Sequence, residues 1–506
     1  MHRRIIVPSA LAASLLLAIP ASAADYVPGA PGIGDPYYPV SGNGGYDVSH
    51  YDLRLKYQPA TDLLEGTATI LATTTQNLSR FNLDLGLKAT EVRVDGRLAK
   101  FTATGEHELE IVPAAPLPRS KQVTVVVRYA GKPSEFKVDG WSAWHRTPDG
   151  GVAAQEPDSA AWWFPSNDHP RDKATFDVSV SVPDGTQAIS NGVLQAQSSR
   201  LGWTRFHWRS TKPQATYLAT LAVGRFDITT DRTANGLPVL NAYSKDLGDN
   251  AGAARASVER TAEVAEWLEG VFGPYPFNAL GGYVPNVTSG YALETQTRPF
   301  YSPRQFANGA NTSVVVHELA HQWYGDSVSV RDWKDIWINE GFARYSQWLW
   351  SEKEGEGTAQ ELADYVYALR TAEDPFWTVK PGDPGADALF HIAVYDRGAL
   401  ALQALRNEIG DEDFFAILKG WPQRFAHGNA RVADFVRYAE QVSGKPLAAL
   451  FDTWLYEPSK PAAGPSAAAA PAARSAAPES LRAKPAQPRS WKKIAATNTV
   501  HDHEDH

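Results

Sequence analysis

The residue types suited to metal chemistry stand close together in mid-chain, in the run Val314-Val-Val-His317-Glu318-Leu-Ala-His321. On a helix, His317 and His321 lie one turn apart on the same face, with about 5–6 Å between their Cβ atoms. Two imidazoles placed in this way can share one zinc ion at about 2.0–2.1 Å each. Glu318 lies beside the first imidazole and can reach a metal-bound water without being a ligand. The run therefore predicts a metal site with a carboxylate next to it.

A catalytic zinc ion needs a third protein ligand and one open position. Glu340 comes 19 positions after His321, near the start of a second predicted helix. If the two helices pack as antiparallel neighbours, its carboxylate reaches the metal. Asp326 and Asp332 are the rival third ligands, although a loop position and a helix cap are the roles expected for them. We predict a site of His317, His321 and Glu340 that holds one Zn²⁺ per chain.

Helical periodicity surrounds both segments. Asn311 or Thr312 can cap the first helix, which is predicted over 312–325. Asp332 can cap the second helix, which is predicted over 333–350. Further helical patterns cover 258–272, 396–409 and 431–443.

The earlier part of the chain alternates apolar and polar residues with period two, a pattern typical of half-buried strands. The clearest runs are 51–57, 123–129 and 176–182, separated by turn signals such as Asp95-Gly96 and Asp184-Gly185. They predict a β-sandwich-like domain over 45–228. A mainly helical domain over 229–457, with a few strands before residue 300, is expected to follow. The predicted fold class is therefore α+β multidomain.

The first residues have the features of a secretory signal peptide. A basic start, His2-Arg-Arg, precedes a mostly apolar stretch, and Ala21-Ser-Ala23 matches a cleavage site. The prediction is a signal peptide at 1–23 and a secreted or periplasmic protein. A short buried helix or a membrane anchor is the alternative for this stretch. No later segment approaches the ~20 apolar residues that span a bilayer, so no membrane anchor is expected.

Both ends of the mature chain have biased compositions. Residues 24–44 are rich in Gly and Pro and are predicted to be an irregular lead-in. Residues 458–506 are rich in Ala and Pro and finish in a His- and Asp-rich end. Such a segment buries too little apolar surface to offset its ordering entropy, so a disordered tail is predicted. Removing the chain after Tyr456 should then leave folding and activity nearly unchanged.

The overall composition excludes several classes of function. The 506 residues carry 48 Lys and Arg against 57 Asp and Glu, a net charge of −9, which argues against a nucleic-acid partner. The chain has no cysteine. Disulfides, thiol catalysis, Cys-ligated zinc and iron–sulfur clusters are therefore excluded.

The metal motif and several other segments resemble the M1 zinc aminopeptidases, a gluzincin family. Its pattern, HExxH followed by eighteen residues and a Glu, matches His317, Glu318, His321 and Glu340. The resemblance extends over about 36–457. Further matching segments are 42–53, 163–176, 272–277 and 394–399. The resemblance implies that 229–457 is a thermolysin-like zinc-peptidase domain.

The resemblance also implies where a substrate binds. In the family, the Glu of a Gly-x-Met-Glu-Asn segment binds the free α-amine, and the matching segment here is Tyr291-Ala292-Leu-Glu294-Thr295. Glu294 and its neighbour Ala292 are therefore expected in the substrate site. Since Tyr, Leu and Thr replace Gly, Met and Asn, the shape of the first side-chain pocket is left open.

A second amine anchor of the family is a Gln or Glu twelve positions before an Asp-x-Pro element. Counting back from Asp168 favours Glu156 over its neighbour Gln155. Tyr395 matches the tyrosine that hydrogen-bonds the oxyanion, and a phenol is a suitable neutral donor for that role. One departure is that larger family members carry a helical C-terminal domain, whereas this chain becomes low in complexity after Tyr456.

The resemblance implies an exported zinc aminopeptidase that acts on peptides with a free N-terminus. Glu318 would serve as the general base that moves a proton from water to the leaving amine. A zinc endopeptidase using the same site is the nearest alternative. A non-catalytic M1-like binding protein and a small-molecule hydrolase on the same fold are further alternatives. The oligomeric state is left open.

Overall fold

The computed structural model describes residues 25–138, 140–465 and 485–497. The predicted signal peptide lies outside these residues, as do 466–484 and the His- and Asp-rich end of the tail. In the described ranges, no helix combines the length and the apolar character required to cross a membrane.

Strands dominate the first part of the chain, as predicted. In the strand 46–58, Leu53, Leu55 and Tyr57 are buried, whereas the residues between them are exposed, which is the expected alternation. The strands are β1 Val27–Pro28, β2 Tyr46–Gln58, β3 Leu63–Thr74, β4 Leu78–Asp84, β5 Lys88–Val94, β6 Arg97–Leu98, β7 Lys100–Thr104, β8 Glu108–Val112, β9 Gln122–Gly131, β10 Trp144–Thr147, β11 Gly150–Ala153, β12 Ala174–Pro183, β13 Gln187–Ser190, β14 Val193–Arg200, β15 Trp203–Gln214 and β16 Leu221–Gly224.

These strands form three sheets, in the orders β14-β15-β12-β2-β3-β9-β5-β6, β1-β4-β8-β7 and β10-β11-β16-β13. In the largest sheet, Leu53 of β2 lies opposite Ala68 of antiparallel β3 and opposite Val178 of parallel β12. The predicted turn Asp95-Gly96 joins β5 to β6 with φ values of 50° and 75°, as a two-residue hairpin requires. Buried residues from all three sheets form one hydrophobic core. The predicted β-rich N-terminal domain is confirmed.

The second part of the chain combines helices with a mixed sheet of order β17-β18-β19-β21-β20 and a two-stranded β22-β23 sheet. Its strands are β17 Phe226–Arg232, β18 Pro238–Ser244, β19 Leu280–Val284, β20 Ala292–Leu293, β21 Phe300–Tyr301, β22 Ser329–Val330 and β23 Asn429–Ala430. Its helices are α1 Asn250–Val258, α2 Thr261–Phe272, α3 Thr312–Ala320, α4 Trp337–Lys353, α5 Ala359–Ala368, α6 Ile392–Ile409, α7 Asp411–Arg424, α8 Val432–Ser443, α9 Ala448–Phe451 and α10 Trp491–Ala496.

The predicted domain boundary at 228 falls inside a strand. β17 begins at Phe226 and pairs along its whole length with β18 of the second domain. A strand belongs with the sheet that holds its hydrogen bonds, so the second domain begins just before Phe226. The lead-in is irregular apart from β1, and its Asp35 is buried.

The first helix of the metal motif is shorter than predicted. α3 ends at Ala320 rather than at residue 325. The N–H groups of Gln322 and Trp323 donate to carbonyls three residues back, and the chain then turns at Gly325, whose φ of 136° favours glycine. His321 is the C-cap residue and keeps helical angles of −59° and −25°. It therefore still follows His317 by one turn.

The predicted second helix, 333–350, starts as a 3-10 turn over Trp333–Asp335, and α4 itself begins only at Trp337. The predicted aspartate cap is not formed. Asp332 makes no capping hydrogen bond and forms ion pairs with Arg171 and Arg431. The carboxylate of Asp35 accepts the hydrogen bond from the backbone N–H of Trp333 instead, at 2.9 Å. A distant segment thus occupies the position that a local cap would take, which periodicity and capping rules cannot reveal.

The prediction of a disordered tail is wrong for the parts that the structure describes. Residues 485–497 are ordered and contain α10, in which Ile494 is fully buried in the core of the second domain. Ile494 packs into an apolar site formed by other elements of the second domain. The composition of the tail alone could not indicate that such a site exists. The expectation that truncation after Tyr456 is harmless loses its physical basis.

Two glycines allow α4 and α6 to pack closely. A Cβ atom on Gly398 of α6 would lie 2.6 Å from Trp337 Cδ1 and 3.1 Å from the Cα atom of Gly341. The indole N–H of Trp337 donates to the carbonyl of Gly398 at 3.2 Å. This contact sets the distance between the helices that carry Glu340 and Tyr395.

Gly398→Ala should therefore destabilise the protein by about 1–3 kcal/mol, because the added methyl group overpacks the α4–α6 contact. Gly270→Ala is the matched control, since Gly270 lies in α2 with no atom within 4 Å of an added Cβ. Replacing a glycine inside this helix by alanine should raise the free energy of unfolding by roughly 0.5–1 kcal/mol. Denaturant unfolding of both variants measures the difference. Equal stability of the two would mean that the helices do not pack as described.

Candidate active site

Two packed helices carry the residues of the metal motif. α3 provides His317 and Glu318, with His321 at its C-cap, and Glu340 lies in the first turn of α4. Asn311 caps α3, as predicted, because its Oδ1 accepts a hydrogen bond from the Ser313 N–H at 3.1 Å. The four motif side chains are all buried.

The geometry of three donors fits a zinc ion. Glu340 Oε2 lies 3.2 Å from His317 Nε2 and 3.5 Å from His321 Nε2. Tetrahedral ligands at about 2.0–2.1 Å from zinc are about 3.3–3.4 Å apart, close to these distances. His321 Nδ1 lies 3.0 Å from the carbonyl oxygen of Tyr324, so it donates there and leaves the Nε2 lone pair facing Glu340. The residues therefore fit the group that the sequence predicted.

The rival ligands do not join this cluster. Asp332 is engaged in its ion pairs, and Asp326 is not among the described residues that could share a metal with the two histidines. Glu294 and Glu318 also have ligand atoms within 4.8 Å of one on His321. The group with Glu340 is the better candidate for a metal site, because two imidazoles face its carboxylate whereas the other group offers one.

All eight predicted site residues line one cavity. The lining residues are Gln155, Glu156, Tyr291, Ala292, Leu293, Glu294, His317, Glu318, His321, Glu340 and Tyr395. They come from both domains, since 155–156 lie in the N-terminal domain and the others in the second. The structure thus brings together residues that are up to 240 positions apart, from 155 to 395.

The cavity concentrates buried carboxylates. Burial raises the pKa of Glu156, and the neighbouring carboxylates of Glu294 and Glu340 raise it further. Burial likewise raises the pKa of Glu318 and of Glu294. Burial would also raise the pKa of Glu340, but the imidazoles of His321 and His317 outweigh it and lower this pKa. Such a cluster stabilises positive charge placed among the carboxylates.

Comparisons with known proteins identify the family of this chain. The Peptidase M1 N-terminal domain matches residues 48–218, and the Peptidase family M1 domain matches residues 299–454. The crystal structure of an M1 zinc metallopeptidase from Deinococcus radiodurans is 30% identical, with a TM-score of 0.76, over 85% of this chain and 98% of that one. The chain belongs to peptidase family M1.

Two further M1 relatives are similar. A mutant of the Deinococcus radiodurans enzyme, bound to the substrate Tyr-Ser-Ala, is 28% identical, with a TM-score of 0.75, over 84% of this chain and 97% of that one. Glutamyl aminopeptidase of Sus scrofa is 29% identical over 320 residues, which are 59% of this chain and 34% of the relative. The chain spans a third to a half of the length of the curated relatives that it matches.

Two residues that the sequence did not single out hold Glu294 in this M1 protein. Tyr217, from the N-terminal domain, donates its hydroxyl hydrogen to Glu294 Oε1 at 3.3 Å. Gln322 donates from Nε2 to the Glu294 carbonyl at 3.0 Å, and its Oε1 accepts from the Thr297 N–H at 2.8 Å. Gln322 could have been singled out from the sequence, because it directly follows the predicted ligand His321. No local sequence pattern pointed to Tyr217.

Gln155 and Glu156 differ in their partners. Gln155 Oε1 accepts a hydrogen bond from the hydroxyl of Tyr291 at 2.5 Å, and that hydroxyl also lies 2.6 Å from His145 Nε2. Glu156 Oε1 is buried and has no hydrogen-bond partner in the described part of the chain. Glu156 therefore has the free acceptor atom in the cavity. Tyr291, which stands where the M1 motif has glycine, fills the wall beside Gln155.

Tyr395, on α6, lies beside the candidate metal ligands. Its ring stacks near that of His317, with centroids 6.0 Å apart and planes 21° from parallel. Burial raises the pKa of the Tyr395 phenol, and Glu340 raises it further. The phenol is therefore protonated at neutral pH and can donate a hydrogen bond into the cavity.

Proposed function

We propose that this M1 protein is an exported zinc aminopeptidase that removes residues one at a time from the amino terminus of peptides. The observation that carries the proposal is that the candidate zinc ligands share their cavity with two further buried carboxylates, Glu294 and Glu156. Neither is needed for the metal. Together they complement the positive charge of a free α-ammonium group.

The residues of the cavity divide the chemistry among them. Bound zinc would lower the pKa of water and polarise a carbonyl group. Glu318 accepts a proton from the attacking water and delivers it to the leaving amine. Tyr395 donates a hydrogen bond to the substrate oxygen that gains negative charge. Glu294 and Glu156 hold the α-ammonium group, so that only the first peptide bond reaches the site.

The relatives support peptides as substrates. The Deinococcus radiodurans enzyme, which matches both domains, binds Tyr-Ser-Ala as a substrate. The Sus scrofa relative is an aminopeptidase by name. Both facts belong to those proteins, and they make short peptides with a free amino terminus the first compounds to test here.

A panel of aminoacyl 4-nitroanilides, assayed with and without a zinc chelator, tests the proposal. The protein should release nitroaniline, and chelation should reduce the rate to background because Glu318 by itself does not activate water sufficiently. Added Zn²⁺ should restore the rate. Hydrolysis that continues after the metal has been removed would contradict the proposed chemistry. A zinc-loaded protein that turns over none of the panel and no peptide would favour a binding protein.

The exported location rests on the leader sequence alone. The basic start, the apolar stretch and Ala21-Ser-Ala23 support cleavage near Ala23. Mass spectrometry of the protein from its native source should find a chain that begins near Ala24. A native chain that retains residues 1–23 would contradict this part of the proposal.

A further inference from the structure

Residues 485–497 dock onto the catalytic domain; we name them the C-terminal latch. Their helix α10 packs beside α3, and Ile494 is completely buried in the core of the domain. Ser490 is buried as well, with its Oγ 2.7 Å from Ser351 Oγ on α4. The Peptidase family M1 match ends at residue 454, so the C-terminal latch lies outside the matched residues.

The C-terminal latch contacts the start of the helix that carries the metal motif. The Asn311 side chain caps α3 through Oδ1, which accepts from the Ser313 N–H. The Nδ2 atom of the same side chain donates to the Lys493 carbonyl of the latch at 3.1 Å. One amide group therefore joins the latch to the N-terminus of α3, the helix that carries His317.

Arg344 of α4 connects the latch to the catalytic tyrosine. The Arg344 side chain is buried, with Nε 3.2 Å from Asp396 Oδ1 and the guanidinium carbon 5.7 Å from the centre of the Tyr395 ring. On its other side, Nη1 donates to the Ile494 carbonyl at 3.3 Å and to Thr497 Oγ1 at 3.1 Å. The guanidinium group therefore lies between the latch and the residues that adjoin the cavity.

Gln347 links these two contacts. Its Oε1 accepts from Arg344 at 2.5 Å, and its Nε2 donates to the Ser313 carbonyl at 3.0 Å and to Thr497 Oγ1 at 3.2 Å. Amide and guanidinium groups carry their donors in fixed directions. If the latch moves away, Arg344 loses its two acceptors in the latch, the Ile494 carbonyl and Thr497 Oγ1, and keeps only its contacts with Asp396 and Gln347. Its guanidinium group is then held by fewer hydrogen bonds and is free to shift beside Tyr395.

We propose that the C-terminal latch positions α3 and, through Arg344, Tyr395 for catalysis. The inference rests on the proposed function, because it concerns the rate at that site. Arg344 and Thr497 are positioning residues, since they touch neither metal nor substrate. The metal ligands remain on intact helices when the latch leaves, so zinc should stay bound while hydrolysis slows.

Ile494→Asp in the full-length chain tests the proposal, because a carboxylate at this buried position should undock the latch. Trypsin cleavage after Lys492 and Lys493 reports undocking. We expect rapid cleavage there, one zinc per chain, little change in KM and a kcat at least about tenfold lower on the best aminoacyl 4-nitroanilide. Ile494→Leu, which keeps the apolar contact, and Lys492→Ala, at an exposed position, are the controls and should match the wild type.

A second variant pair isolates one hydroxyl group. Thr497→Val removes the acceptor shared by Arg344 and Gln347, and it should lower kcat a few fold with unchanged zinc content. Thr497→Ser keeps the hydroxyl and should restore the rate. If Ile494→Asp does not fold, this pair tests the positioning role of the C-terminal latch by itself.

Two results would overturn the inference: wild-type kcat in a chain whose latch is cleaved or undocked, and equal kcat in Thr497→Val and the wild type. Loss of zinc in step with the loss of rate would also overturn it, because the latch would then act on metal binding. A wild-type protein with no aminopeptidase activity would instead refute the proposed function, so the two failures are distinguishable.

Discussion

Glu318→Gln is expected to retain zinc and to lose most of its activity, with kcat lower by about 10²–10⁴-fold. Gln has nearly the shape of Glu but cannot accept the proton of the attacking water. Glu318 also lies outside the three candidate ligands, so the metal content should not change. Metal analysis and steady-state kinetics of the purified variant measure both quantities. Glu412→Gln, the same chemical change at an exposed position of α7, is the matched control.

The complementary change at Glu340 should give the opposite pattern. Glu340→Ala leaves two imidazoles, too few ligands for a catalytic zinc site, so the metal should be lost together with the activity. Glu340 is buried at the start of α4, and thermal unfolding of the variant with and without Zn²⁺ separates metal loss from misfolding. A zinc-free Glu318→Gln protein, or a loaded and active Glu340→Ala protein, would contradict the assignment.

N-terminal acetylation of a peptide should make it nearly inert, while the free peptide loses residues one at a time. Acetylation removes the positive charge that Glu294 and Glu156 are proposed to bind, and it adds bulk in the same place. A buried carboxylate without its partner costs about 1–3 kcal/mol. Displacement of the scissile bond by ~1 Å costs on the order of a further 100-fold. Mass spectrometry of digests of one peptide in both forms measures the contrast.

Glu294→Ala should reduce that contrast mainly by slowing the free peptide, with zinc retained. Glu156→Gln reports on the second anchor in the same assay, because it keeps the size of the side chain and removes its charge. Internal cleavage at comparable rates in the free and acetylated peptides would show that the cavity does not recognise the amine. The zinc endopeptidase alternative would then replace the aminopeptidase.

The metal motif could be predicted from the sequence because its geometry is local. His317 and His321 are four residues apart, and helical geometry alone places them on one face. The helix could even end early, at Ala320, without moving His321 out of place. The alternation in β2 and the turn at Asp95-Gly96 are local in the same sense, and the structure has both.

The third ligand and the amine site depended on the tertiary structure. The spacing of Glu340 resembled the M1 pattern and favoured it over the rivals Asp326 and Asp332, but only the packing of α3 and α4 brings the Glu340 carboxylate beside both imidazoles. Glu156 and Glu294 lie in different domains and meet only in the cavity between them. Glu156 and Glu294 come together because the two domains pack against each other. No local sequence pattern determines that packing.

The tail and one helix start show where local rules mislead. Asp332 has the residue type of a cap at the start of the predicted helix, but Asp35, almost 300 residues earlier in the chain, accepts the hydrogen bond of the Trp333 N–H. The Ala- and Pro-rich composition predicted disorder for the whole tail, yet Ile494 is buried and the C-terminal latch is ordered. Composition measures the apolar surface that a segment can offer. Only the tertiary structure decides whether other elements form a site to receive it, because burial depends on both surfaces.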